Sequence, residues 1–172
     1  MKIIAFDGHD GAGKTGIAKD VVSRLENSVY VKPYDGLLGD YIAWLYRIKS
    51  WSLLNETSQH AVQFALSSLN KEAYEYAIFD RGWLSIFTIL PKEFWVSWEF
   101  RPYTVLFWCS PTTVVKRLKE RNEDEGVFAN HEYFCNLYRS ISEEMKLPII
   151  NTSIDSYETC VSNALSLVKN HA

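Results

Sequence analysis

Apolar and polar positions along the chain alternate between two rhythms. Short apolar-rich runs at Lys2–Phe6, Ser28–Val31, Tyr76–Phe79, Thr104–Cys109 and Pro148–Ile150 read as five strands. The segments between them repeat with a helical period. Ile17, Ala18, Val21, Val22 and Leu25 mark an amphipathic helix after the first run, and Leu38–Ile48 predicts a second. A third is expected to begin after Asn55, with Ala61, Val62, Ala65, Leu66 and Leu69 as its core stripe. Trp83–Leu90 reads as helical, Ser110 as an N-cap with Pro111 at the first helical position, and Phe134, Leu137, Tyr138 and Ile141 as a further helix. Val161, Leu165 and Val168 mark the last helix. Strands alternating with helices imply crossover connections, hence an α/β fold with a parallel sheet covered by helices on both faces. Ligands of such sheets bind at the carboxyl ends of the strands.

Composition narrows the class. The chain has 172 residues, 47% of them hydrophobic and 23% charged, which suits one folded domain over 1–172. Eighteen basic and 21 acidic residues give a net charge of −3, so no nucleic-acid polymer is expected as a partner. The longest apolar run, Val105–Cys109, is far short of the ~20 residues of a membrane helix. The run Ile3–Phe6 is too short for a secretory leader, so the expectation is a cytoplasmic protein with no membrane partner. Cys109, Cys135 and Cys160 form no CxxC pair and read as reduced thiols. The four His are scattered along the chain and suggest neither a metal site nor a triad.

The chemistry sits where the first strand ends. Gly8-His9-Asp10-Gly11-Ala12-Gly13-Lys14-Thr15 matches G-x-x-x-x-G-K-[ST] between a strand and a helix. In that motif the backbone amides around Gly8, Gly11, Ala12 and Gly13 cradle phosphate oxygens. The helix N-terminus aims at the same anion. Lys14 reaches the β- and γ-phosphates and the Thr15 hydroxyl binds Mg²⁺. Asp80-Arg81 ends the third strand. There Asp80 is expected near the metal and Arg81 to grip a phosphate. Arg117 and Arg121 share a helix face and are candidates for a lid, about 117–128, that delivers an arginine to the transferring phosphoryl group. The acids that follow, Glu123 to Glu125, are expected to point outward, because they would repel phosphate. Gln63 and Phe64 lie off the core stripe of the third helix. There Phe64 could stack on a base and Gln63 read its edge, or Phe64 could pack on a neighbouring element. The stretch Phe94–Phe100 reads equally as core, as pocket wall or as the patch of a homodimer.

These residues resemble the thymidylate kinase family of P-loop nucleotide kinases. Ile4–Gly8, Asp10–Thr15, Asp80-Arg81 and Ser110-Pro111…Arg117…Arg121 carry the resemblance over nearly the whole chain. It implies a three-layer P-loop kinase fold with a five-stranded parallel sheet in the order 2-3-1-4-5. It also implies that Asp10 meets the acceptor sugar, that Arg81 grips the acceptor phosphate, and that the helix around Gln63 and Phe64 faces the acceptor base. Gly11 stands where some members have a P-loop arginine, which shifts that role to Arg117 or Arg121. Ser68 and Ala43 stand at two other arginine positions, with Arg47 one turn on, and only about twenty residues separate Arg81 from the fourth strand. The expected function is ATP- and Mg²⁺-dependent phosphoryl transfer to a deoxynucleoside monophosphate, with a pyrimidine preferred. The acceptor region spans about 33–70, and Lys32 and Arg47 serve as extra phosphate partners. A deoxynucleoside kinase of the same fold, or a P-loop module that binds nucleotide without catalysis, are the alternatives.

Overall fold

The computed structural model describes residues 1–171. Its elements are β1 (Lys2–Asp7), α1 (Lys14–Ser23), β2 (Ser28–Val31), α2 (Gly36–Arg47), α3 (Trp51–Ser67), β3 (Tyr76–Asp80) and α4 (Trp83–Phe87). After a 3-10 helix at Lys92–Ser97 follow β4 (Tyr103–Trp108), α5 (Pro111–Glu120), α6 (Phe128–Glu144), β5 (Ile149–Asn151) and α7 (Tyr157–Asn170). The five strands form one parallel sheet in the order β2-β3-β1-β4-β5.

Side chains alternate across each strand, so the sheet divides the interior into two cores. Ile4, Phe6, Ile78, Val105 and Phe107 point to the layer of α1, α5 and α7, where they meet Ile17, Val21, Val114, Val161 and Val168. Ala5, Ala77, Phe79 and Leu106 point the other way, onto Ile42 and Leu45 of α2, Leu54 and Val62 of α3, Leu84 and Phe87 of α4, and Tyr138 and Ile141 of α6. Both faces are covered, which is why the strands read as continuous apolar runs.

Two helices differ from their predicted extent. α3 begins at Trp51, ahead of Asn55. Lys49 takes a left-handed conformation (φ 57°) that ends α2, and Ser50 opens the next helix. Asn55 is buried inside α3, where its side chain donates to Ser97 Oγ (2.9 Å) and accepts from Trp98 Nε1 (2.7 Å). This polar pair ties the Phe94–Phe100 stretch to α3. Trp98 is 4% exposed and Trp95 stacks on Phe87 at 4.5 Å, so the aromatic side chains of the stretch pack on the second core, Phe94, Trp95 and Phe100 half-buried, while Val96, Ser97 and Glu99 are exposed. α4 stops at Phe87 instead of continuing to Leu90. Among the described residues, no helix is long and apolar enough to cross a membrane.

The turn after β1 runs so close to β4 that only glycine fits at its first position. A Cβ on Gly8 (φ 153°) would lie 2.2 Å from the Phe107 carbonyl oxygen, which is fixed in the sheet. Gly8→Ala is expected to destabilise the protein by about 2–3 kcal/mol, a fall in Tm of roughly 4–12 °C in thermal denaturation. An unchanged Tm would show that this approach is not tight.

Candidate active site

β1 and β3 place two loops side by side. Their register pairs Phe6 with Asp80, and the Arg81 amide donates to the Phe6 carbonyl (3.0 Å). Arg81 takes φ 78°, which is unfavourable for a side-chain-bearing residue and swings its guanidinium toward the first loop. That guanidinium donates to the Asp10 carboxylate. Asp7 locks the arrangement from below. Its fully buried carboxylate accepts from the Gly82 and Ser85 amides (3.1 Å each) and from Ser85 Oγ. Burial raises the Asp7 carboxyl above its usual range, against the lowering effect of these donors.

The first loop leads into α1 as the motif requires. Gly11 and Gly13 adopt left-handed conformations (φ 79° and 82°), and α1 starts at Lys14 with its first amides free of intrahelical partners. Lys14 is only 5% exposed and lies 3.8 Å from Asp10. Burial, reinforced by Arg81 and opposed by Asp10 and Asp80, brings its ammonium down to about 8. Thr15 Oγ1 donates to Asp80 Oδ2 (2.6 Å), as does the Tyr30 hydroxyl (2.6 Å). The other Asp80 oxygen, Oδ1, is buried without a partner. An orphaned carboxylate oxygen beside a helix-start hydroxyl suits a divalent cation that completes its shell with phosphate oxygens and water. Among the described residues no cluster of three or more His, Cys, Asp or Glu could hold a metal alone.

Two cavities flank this centre. The smaller, about 210 Å³, faces the glycine motif expected to take phosphates, which gives it the label phosphate cavity, and is bordered by Asp10, Gly11, Gly13–Gly16, Arg121 and Glu123. The larger, about 390 Å³, opens between α2, α4 and α6. Its apolar walls are Ile42, Ala43, Ile86, Ile89 and Phe134, and its polar groups come from His9, Asp10, Tyr34, Arg81, Ser85 and Tyr138. Tyr138 donates to Ser85 Oγ (2.9 Å), whereas the buried Tyr34 hydroxyl has no partner. Asp10 and Arg81 are the only charged side chains on this wall at neutral pH, and they are paired with each other. Burial brings His9 down to about 4, so its ring there is neutral.

The predicted residues divide accordingly. Asp10, Gly11, Gly13, Lys14, Thr15 and Arg81 border the two cavities, whereas Gly8, Ala12 and Asp80 border neither and lie in the turn and at the end of β3 beside them. Arg121 borders the phosphate cavity. Arg117 borders neither cavity: its guanidinium donates to the Gly11 carbonyl (2.9 Å), Thr152 Oγ1 (3.0 Å) and the Thr152 carbonyl (2.6 Å). It braces the loop against the end of β5. Glu123, Asp124 and Glu125 are exposed, as expected, although Glu123 also borders the smaller cavity and pairs with Arg121 at 2.9 Å. Lys32, Arg47, Gln63 and Phe64 border neither cavity. Lys32 pairs with Asp35 (2.8 Å), Arg47 is exposed with a contact to the Ala43 carbonyl, and Phe64 is 74% exposed. The third helix meets the second core through Leu54 and Val62, which leaves Gln63 and Phe64 on the outer face.

Several groups escaped sequence reasoning. Phe134 and Tyr138 read as the apolar stripe of a helix, and Tyr34 carried no individual signal beyond lying in the expected acceptor region of about 33–70. His9 and His131 lie 122 residues apart yet meet at 2.7 Å, and His131 Nε2 donates to the Glu125 carbonyl (2.6 Å).

No family model matches the chain, and no curated protein matches it by sequence. Among solved structures, a deoxyadenosine kinase from M. mycoides with bound dATP superposes with a TM-score of 0.69 at 16% identity, over 98% of this chain and 100% of that one. The chain therefore shares the α/β fold of that structure, with the five-stranded parallel sheet in the order 2-3-1-4-5.

The two arginines should separate in stability. Arg117→Ala removes three hydrogen bonds from a charged donor and is expected to cost about 2–3 kcal/mol, a Tm lower by roughly 4–12 °C. Arg121→Ala breaks only an exposed ion pair and should leave Tm within about 3 °C. Equal Tm losses would contradict the bracing role of Arg117.

Proposed function

We propose that the protein transfers the terminal phosphoryl group of ATP to a hydroxyl of a nucleoside. The charge balance of the larger cavity carries this reading. That wall holds one cation, Arg81, whose charge Asp10 already matches. A monophosphate acceptor brings about two negative charges and needs further cations, as the phosphate side has in Lys14 and Arg121. Lys32 and Arg47, the partners such an acceptor was expected to use, border neither cavity. A neutral acceptor with an apolar ring fits walls of isoleucine and phenylalanine and polar ends of tyrosine and serine. The structural neighbour is a kinase of a deoxynucleoside, which supports the same class of acceptor.

Phosphoryl transfer asks of the protein mainly position and charge. Lys14 and the amides at the start of α1 hold the donor phosphates. Thr15 and Asp80 would hold Mg²⁺, which neutralises charge building on the phosphates. Arg121 turns to the transferring group when the phosphates displace Glu123. Arg81 stands between donor and acceptor.

The test is an ATP-consumption screen over matched nucleosides and their 5′-monophosphates. At least one nucleoside is expected to turn over with a kcat/KM at least 100-fold above that of its monophosphate. Monophosphates as the better acceptors would overturn the reading, and so would donor binding with no acceptor-dependent ADP formation in either panel.

A further inference from the structure

A neutral acceptor raises a question that a phosphate acceptor does not: which group takes the proton of its hydroxyl. Among the described residues, Asp10 is the one residue that borders both cavities, and it is the one carboxylate on the wall of the larger. The neighbouring carboxylates are committed elsewhere. Asp7 is fully buried beneath Gly82 and Ser85, with every oxygen occupied. Asp80 receives Thr15 and Tyr30 and borders neither cavity. The loop after β2, which also faces the larger cavity, begins with a cation, Lys32, that is paired to Asp35. His9 borders the larger cavity only, and its Nε2 donates to His131, so only Nδ1 remains as an acceptor.

We infer that Asp10 is the general base of the reaction, taking the proton from the acceptor hydroxyl as that oxygen attacks the terminal phosphorus. This rests on the nucleoside reading of the acceptor. In the step, the O–H bond breaks and its proton passes to an Asp10 oxygen. The hydroxyl oxygen forms the new O–P bond with the freed electron pair. The bond between the terminal phosphorus and its bridging oxygen breaks, and that pair leaves with ADP. The products are ADP, the nucleoside monophosphate and a protonated Asp10 that returns its proton to water.

The surroundings suit this role. The Asp10 side chain is 67% exposed, so a ligand in either cavity can reach it. Arg81 holds one of its oxygens and so acts as a positioning residue toward it. Partial burial pushes the Asp10 carboxyl up, but Arg81, Lys14, His9 and Arg121 outweigh this and hold it below the usual carboxylate range. It is therefore ionised throughout the neutral range and ready to accept a proton. Glu123, across the phosphate cavity, is the acidic group that faces it from the lid. A low carboxyl pKa is compatible with catalysis here, because in phosphoryl transfer through a loose transition state the nucleophile is deprotonated late.

The experiment compares wild type with Asp10→Asn, using a nucleoside that the wild type phosphorylates. The amide keeps the size of the side chain and one hydrogen-bond acceptor for Arg81 but cannot take the proton. Its kcat is expected to fall by about 10²-fold or more, in the usual range for loss of a general base. Donor affinity by calorimetry should change less than about fivefold. Without a base in the site the variant depends on prior loss of the hydroxyl proton. The ratio of wild-type to variant kcat should therefore shrink about tenfold per pH unit between pH 6.5 and 8.5. A kcat within threefold of wild type overturns the assignment, and so does a loss equal at every pH, which marks Asp10 as a positioning residue for Arg81. If His9→Gln reproduces the pH-dependent loss and Asp10→Asn does not, the base is His9. Wild-type turnover of monophosphates without nucleosides is a separate failure, that of the acceptor reading itself.

Discussion

The parallel register of β1 on β3 is the constraint on which the site depends. It sets Phe6 opposite Asp80, so the strands end together and their loops leave the sheet side by side. Asp7 then fastens the second loop to the first. A buried carboxylate is expensive unless its oxygens are satisfied, and here the only donors are the backbone and hydroxyl of the segment that carries Arg81. The stability of that carboxylate and the position of Arg81 are thus one requirement. Arg81 accepts a left-handed backbone because the surrounding hydrogen bonds over-determine it.

From this junction the two cavities differ in charge and in lining. The phosphate side combines Lys14, Arg121 and free helix-start amides, an environment for a polyanion. The larger side is mostly apolar, and its single ion pair is internal. The proposed neutral acceptor rests on that contrast more than on the overall fold, since folds of this type serve many acceptors. Beside the phosphate cavity, the exposed Glu123 pairs with Arg121, two residues before it in the chain.

The sheet, its flanking helices and the P-loop were legible in sequence, because the strands are apolar on both faces and the glycine spacing admits few other structures. The placement of Asp80 and Arg81 was legible too, because an apolar strand that ends in a charged pair sets that pair at the carboxyl edge of the sheet. What misled was helical spacing read without its partners. Gln63 and Phe64 share a face off the core stripe of α3, but periodicity cannot say whether such a face meets a cavity or solvent. Arg117 and Arg121 share a helix face, yet one reaches the loop backbone and the other the cavity, a difference set by β5 and Thr152. Tyr34, Phe134 and Tyr138 have apolar bodies that pack as core and polar or open edges that line the site, so burial patterns conceal them. The His9–His131 contact depends on α6 folding back over the P-loop, which no local pattern encodes.

The two cavities meet at Asp10, and in the proposed reaction one takes phosphates and the other an uncharged acceptor. The most direct measurement is a crystal structure with a non-hydrolysable ATP analogue, Mg²⁺ and a nucleoside that the enzyme phosphorylates. The account predicts phosphates over the Gly11–Gly16 backbone and the nucleoside between α2 and α4. Its hydroxyl should lie within hydrogen-bond distance, roughly 2.5–3.0 Å, of Asp10. A nucleoside bound outside the larger cavity, or a hydroxyl turned away from Asp10 toward another base, would contradict it.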